Sequence, residues 1–122
     1  DTYPWTGGGT TCDALYMGVP VVTMYGTRRS TRFSYALLAH MGLSELAVTT
    51  PALYVERAAA LAEDLDTLDV LHRALRTMIA QSPIMDQAAY MRALESVYHT
   101  AMARYLSEEE VDDEEKESKA KR

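Results

Sequence analysis

Hydrophobic positions fall in short bursts over the first fifty residues and in long regular stripes after that. Leu68, Leu71, Leu75, Met78 and Ile79 stand three or four apart, which puts them on one face of a helix predicted over 66–80. Thr50 followed by Pro51 reads as the cap and first position of an earlier helix over 51–63, with Leu53, Tyr54, Ala58, Leu61 and Ala62 inward. Ser82-Pro83 interrupts the helical pattern. A third helix is predicted over 86–106, striped by Tyr90, Leu94, Val97, Ala101 and Tyr105. Before residue 50 the β-branched run Val19–Met24 reads as a buried strand of a parallel sheet, and Leu46-Ala47-Val48 as a second, short strand. Between them a helix over 32–41, capped by Ser30 or Thr31, turns Phe33, Ala36, Leu37, Leu38 and Met41 inward and stops at Gly42. A shorter helix over 12–17 stops at Gly18.

Strands alternating with helices imply an α/β domain. A parallel strand must be covered on both faces, and one or two strands do not make such a sheet. Either the remaining strands lie upstream of Asp1 or this is not a complete fold. The chain has no initiator Met, which fits a C-terminal piece of a longer protein. No internal repeat of 20–50 residues appears.

Composition narrows the class. The 122 residues are 48% apolar and 25% charged, enough apolar surface for a folded core. No run approaches the roughly 18 apolar residues of a membrane helix, and the first residues lack the pattern of a signal peptide. A single cysteine, Cys12, excludes an internal disulfide and a zinc site built on several cysteines. The net charge of −6 argues against a nucleic-acid binder that works by neutralising phosphates. Charge is unevenly spread: residues 107–122 carry a net −4 and, beyond Ala, the one aliphatic residue Val111. That segment is read as a disordered acidic tail, with continuation of the preceding helix through Glu and Lys pairs as the alternative.

One motif carries chemistry. Gly7-Gly8-Gly9-Thr10-Thr11-Cys12-Asp13 sets a glycine turn at a helix start. The first N–H groups of a helix lack partners within it, and the macrodipole adds partial positive charge. Glycines let an anion approach the backbone, and Thr hydroxyls can donate to phosphate oxygens. The motif misses the dinucleotide fingerprint, because Cys12 stands where a third Gly or Ala belongs, and it lacks the Gly-Lys-Ser/Thr ending of a P-loop. A purely structural reading stands beside it: Thr10 three residues before Asp13 is a capping-box variant.

The stretch Asp1–Thr23 resembles the O-linked N-acetylglucosamine transferases and SPINDLY-like proteins, a family of tetratricopeptide-repeat glycosyltransferases. The carrying pattern is Asp1-Thr2, a glycine turn, Thr10-Thr11, Asp13, then Leu15-Tyr16, Gly18, Pro20-Val21-Val22-Thr23. Further similar segments follow in order to about residue 106: Ser30-Thr31-Arg32, Ala36-Leu37-Leu38, Gly42–Leu46, Tyr54-Val55, Ser82-Pro83 and Leu94–Tyr98. The resemblance implies that 1–106 is the C-terminal part of a Rossmann-like, UDP-binding half of a GT-B catalytic region, ending in helices. By position Gly8, Gly9 and Thr10 fall on the diphosphate contacts, Thr11 lies beside them, and Asp13 falls on the ribose-binding acid. The animal enzymes carry His at the position of Gly8 and Thr at that of Gly9, so here the phosphates would rest more on backbone amides.

The implied activity is inverting transfer of a sugar, N-acetylglucosamine, from a UDP-sugar to Ser or Thr of a protein acceptor. The alternative is an inactive nucleotide-sensing or scaffold module. The resemblance implies no metal and no cofactor, a cytoplasmic protein, and partners in the upstream catalytic half and tetratricopeptide repeats. No residue of this chain is assigned as catalytic, and the chain alone is expected to be inactive. Arg28 and Arg29 read as surface. Arg32, a cation at a helix start, reads equally as a diphosphate-side residue or a solvated one. His40, His72 and His99 sit on separate helices and are given no catalytic role. Cys12 is expected to be a small buried residue and Trp5 to pack the turn.

Overall fold

The computed structural model describes the backbone of residues 1–120 and the side chains of residues 1–107. The chain divides into two units, Asp1–Met85 and Asp86–Arg122. In the first unit the order is α1 (Gly9–Tyr16), β1 (Thr23–Met24), α2 (Phe33–His40), β2 (Ala47–Val48), α3 (Pro51–Glu63) and α4 (Leu65–Gln81). The second unit is one helix, α5 (Gln87–Ala120).

β1 and β2 pair in parallel, Thr23 with Ala47 and Met24 with Val48, and α2 forms the crossover between them. This is a β-α-β unit with the minimum of sheet. The strand expected over 19–24 shrinks to its last two residues because pairing is limited by the length of β2. Pro20 brings no donor, and Val19 is 52% exposed. The ladder gains one further bond, from the Tyr25 N–H to the Val48 carbonyl (2.9 Å).

The core lies between α1, α2 and α4 and holds Leu15, Leu38, Met41, Leu43, Leu46, Leu75 and Ile79. The stripe expected on α4 is the one that enters it. α1 and α4 are locked further by Arg76, which lies over the Tyr16 ring (4.5 Å) and donates to its hydroxyl (2.9 Å). His72 Nδ1 lies 3.0 Å from the Gly18 carbonyl oxygen. A carbonyl only accepts, so Nδ1 carries the proton. His72 thus holds the end of α1 to α4, and His40 similarly donates from Nδ1 to the Ala36 carbonyl (2.7 Å).

α3 starts where expected, with the Thr50 side chain accepting from the Leu53 N–H (3.3 Å) and Pro51 at its first position. It buries no residue fully: Tyr54, Ala58 and Leu61 are half-buried, whereas Leu53 and Ala62, also expected inward, are exposed. Thr50→Ala is expected to remove the cap at a cost of about 1 kcal/mol, measured as a lower midpoint in urea with an unchanged slope. α4 begins one residue earlier than expected, capped by the Asp64 carboxylate on the Thr67 N–H (2.9 Å). Hydrogen bonds from the Thr67 hydroxyl and N–H hold the Asp64 carboxyl below its ordinary range.

The stripe expected to face inward on the third helix lies largely in the open, with Tyr90 66% and Val97 63% exposed. A unit made of one helix has no second face of its own to cover a stripe. The backbone of α5 carries on as helix through Ala120, which is the alternative reading of the tail; the side chains of 108–122, on which the expectation of disorder rests, lie outside the described residues.

Candidate functional site

The glycine turn is held from two sides. On one, the Asp1 carboxylate accepts from the Gly7 N–H (3.0 Å) and the Thr2 N–H (2.8 Å) through Oδ1, and from the Thr23 hydroxyl (2.9 Å) through Oδ2. Asp1 therefore ties the turn to the first residue of β1. On the other, the fully buried Ser34 of α2 donates from Oγ to the Gly7 carbonyl (2.8 Å). That uses the Ser34 proton, so the Thr11 hydroxyl, 2.9 Å away, is the donor to Ser34 Oγ. The Thr6 N–H and hydroxyl both reach the Ser30 carbonyl (3.1 and 3.2 Å).

The three glycines do different things. A Cβ on Gly7 would stand 2.5 Å from Thr11 Oγ1 and 2.9 Å from Thr10 Oγ1, so the fold itself demands glycine there. A Cβ on Gly8 or Gly9 would meet nothing within 4 Å, and neither residue has a positive φ. Packing therefore requires neither of these two glycines, and the space beside them is open.

α1 opens at this space. Its N-cap is Gly8, with no side-chain cap, and its first bond runs from the Cys12 N–H to the Gly8 carbonyl (3.0 Å). The capping box expected from Thr10 and Asp13 does not form. The helix begins at Gly9, so Thr10 is already inside the first turn and Asp13 lies one turn in. With no capping side chain, the amides of Gly9, Thr10 and Thr11 have no acceptor among the described residues. They face the open end together with the exposed Thr10. No acidic residue stands in the first turn to offset their partial positive charge.

The sequence-nominated residues thus separate. Gly8, Gly9 and Thr10 lie together at the open helix end. Thr11 is buried with its hydroxyl committed to Ser34, so it supports the turn and offers an anion only its amide. Asp13 is exposed on α1. Asp1, Thr6, Thr23 and Ser34 were not singled out as parts of the site. Asp1 and Thr23 do belong to the stretch carrying the resemblance, whereas Ser34 gave no local signal. Trp5, expected to pack the turn, is 71% exposed. Cys12, expected to be buried, is only partly so and lines a cleft beside the turn. Burial, then the Asp13 carboxylate, push its thiol above the ordinary value. Alkylation of Cys12 is therefore expected to rise at higher pH than for a free thiol, and Asp13→Asn to shift that rise part-way back down. Rates followed by intact mass across a pH series check this.

The arginines flank the same region. The Tyr25 and Tyr35 rings stack (4.2 Å between centroids, 16° between planes), and the Arg32 guanidinium lies over both, 5.4 and 5.0 Å from their centroids. Arg32 also donates to the Gly26 carbonyl (3.1 Å), so its charge is held in place rather than free in solvent. Among the described residues no group of His, Cys, Asp and Glu has the arrangement of a metal site, and no helix is long and apolar enough to cross a membrane.

Residues 1–94 match the model of glycosyl transferase family 41. The chain belongs to this family. Its family 41 relatives include the probable UDP-N-acetylglucosamine–peptide N-acetylglucosaminyltransferase SPINDLY of Hordeum vulgare, 41% identical over 105 residues, which cover 86% of this chain and 11% of that protein. The Arabidopsis thaliana protein of the same description is 37% identical over 109 residues, covering 89% and 12%. Among solved structures, a mutant of the Thermobaculum terrenum O-GlcNAc transferase matches 80% of this chain and 19% of its own, with a TM-score of 0.73 and 39% identity. The chain therefore spans about a tenth of the length of these curated relatives, and it shares the fold of the corresponding part of the Thermobaculum terrenum O-GlcNAc transferase.

Proposed function

We propose that residues 1–106 form part of the UDP-binding, C-terminal Rossmann-like half of a GT-B glycosyltransferase that transfers N-acetylglucosamine from UDP-N-acetylglucosamine to Ser or Thr of a protein, with inversion. The observation that carries this reading is the uncapped start of α1 beside two glycines with open space around them, in a family 41 chain. The amides of Gly9 and Thr10 and the Thr10 hydroxyl meet the diphosphate. Gly8 leaves it room, the Thr11 amide adds to the set, and Asp13 accepts from the ribose. The Asp1 and Ser34 clamps position the turn.

In the transfer, the acceptor hydroxyl oxygen forms a bond to the anomeric carbon from the face opposite the diphosphate. The bond from that carbon to the β-phosphate oxygen breaks, and its electron pair leaves with UDP. The hydroxyl proton passes to a base outside this chain. Negative charge grows on the leaving diphosphate, and donors fixed in advance at that place lower the barrier. In this reading the helix amides, and no metal or cofactor, are assigned that charge. The upstream catalytic half supplies the acceptor site and uracil contacts, tetratricopeptide repeats precede it, and the protein works in the cytoplasm.

A second reading, an inactive nucleotide-binding scaffold, draws on the same bare glycines, because Gly8 and Gly9 offer no side-chain donors. Turnover separates the two. Full-length protein incubated with UDP-N-acetylglucosamine and a Ser/Thr peptide is expected to yield UDP and glycopeptide in equal amounts. UDP binding with no glycopeptide would establish the scaffold.

A further inference from the structure

Arg32 sits where a cation is disfavoured and is nevertheless fixed there. It is the N-cap residue of α2, and a positive charge at a helix start opposes the helix dipole. No acidic residue stands in the first turn of α2 to offset it, and no carboxylate among the described residues pairs with it. In a chain of net charge −6 this is an unneutralised cation. The Tyr25 ring, directly after β1, and the Tyr35 ring, on α2, stack beneath its guanidinium, and Nη1 donates to the Gly26 carbonyl. A guanidinium has further N–H donors in the same plane, and the Arg32 side chain is exposed. A planar fork held in advance loses little freedom when it meets an oxyanion.

Which anion it would meet follows from position. Arg32 and Gly8 line one cleft of about 550 Å³, whose lining holds no carboxylate. Gly9, Thr10, Thr11 and Asp13 do not line it, so the cleft joins the donor site at Gly8, the end of the motif away from Asp13. In the donor reading Asp13 takes the ribose. The phosphate joined to the ribose then lies nearer Asp13, and the β-phosphate lies nearer Gly8 and the cleft. α1 also opens at Gly8 with no side-chain cap and no acid in its first turn. The β-phosphate end of the site is therefore bordered by two uncapped helix starts and one fixed guanidinium.

Resting on the donor reading above, we propose that Arg32 contacts the β-phosphate of the UDP-sugar and carries part of the charge that grows there as the sugar leaves. The bond between the anomeric carbon and the β-phosphate oxygen breaks, its electron pair stays on that oxygen, and the diphosphate gains one negative charge. Arg32 is permanently charged, so it meets that charge without a proton transfer. A contact that strengthens as the bond breaks raises kcat more than it lowers KM.

Full-length protein carrying Arg32→Gln tests this. Its UDP affinity is expected to fall about tenfold, and its UMP affinity less than about twofold, because UMP has no β-phosphate. In turnover, kcat is expected to fall by a larger factor than KM rises. Arg32→Lys keeps the charge and loses the fork, and is expected to recover part of both losses. Equal loss of UDP and UMP affinity, with a lower thermal midpoint, would mean that Arg32 only braces Tyr25 and Tyr35, and overturns the assignment. Unchanged UDP affinity overturns it too, as does a rise in KM with kcat unaltered. The donor reading is scored separately on the unsubstituted protein, by whether UDP shifts the Gly8–Thr10 amides. If it shifts them while Arg32→Gln leaves UDP affinity intact, the Arg32 assignment alone fails. If it does not shift them, the donor reading fails and the Arg32 assignment falls with it.

Discussion

Gly7→Ala is expected to lower UDP affinity by more than tenfold while costing about 1–3 kcal/mol of stability. The added methyl would stand 2.5 Å from Thr11 Oγ1 and 2.9 Å from Thr10 Oγ1. Thr10 is exposed and can turn away. Thr11 is buried, and its hydroxyl is the donor to Ser34. If Thr11 rotates, a buried Ser34 oxygen loses a partner. If the turn moves instead, Gly7 leaves either Asp1 or Ser34. Either way the amides at the start of α1 lose the position from which the proposed function has them meet the diphosphate. Gly9→Ala is the internal control. It meets no atom within 4 Å and replaces a helical glycine, so stability is expected to hold or rise by up to about 1 kcal/mol. UDP affinity is nevertheless expected to fall, because the methyl occupies the space that the proposed function assigns to the phosphate. Thermal midpoints and UDP titrations of the two variants check both halves of the contrast.

Gly18→Ala carries the largest expected loss of stability, about 2–5 kcal/mol. Gly18 has φ +80°, and its Cβ would lie 2.5 Å from the His72 carbonyl oxygen, in the middle of α4. Main chain inside a helix cannot yield as a side-chain tip can. The His72 ring adds a second contact, Nδ1 at 2.9 Å. His72→Ala in the same chain removes the ring and leaves the carbonyl, so it is expected not to rescue the variant. A fall of at least about 10 °C in the thermal midpoint is expected for both single and double variants.

The helices were legible where periodicity and capping coincide. Thr50-Pro51 fixed the start of α3, and the Leu71–Ile79 stripe enters the core. The strands were not, because their length depends on pairing with a partner, and Val19–Val22 have none among the described residues. The stripe of α5 was read correctly as periodic but not as exposed, since periodicity states which residues share a face and not whether anything covers it. At the site, the glycine turn and its place at a helix start were plain from composition. Local sequence could not show that α1 begins at Gly9, which removes the capping box, or that Ser34, 23 residues beyond Thr11, holds that hydroxyl. It also could not tell Gly7, which packing within the turn requires, from Gly8 and Gly9, beside which a side chain would meet nothing.

In the proposed function, the open start of α1 binds the diphosphate of a UDP donor. An amide correlation spectrum of this chain, recorded with increasing UDP, tests it most directly. Dispersed peaks are expected, with saturable shifts concentrated at Gly8, Gly9 and Thr10, smaller ones at Thr11 and Asp13, and none at Gly42 beyond the C-terminal end of α2. Dispersed peaks at Gly8–Asp13 that stay fixed through millimolar UDP would contradict it.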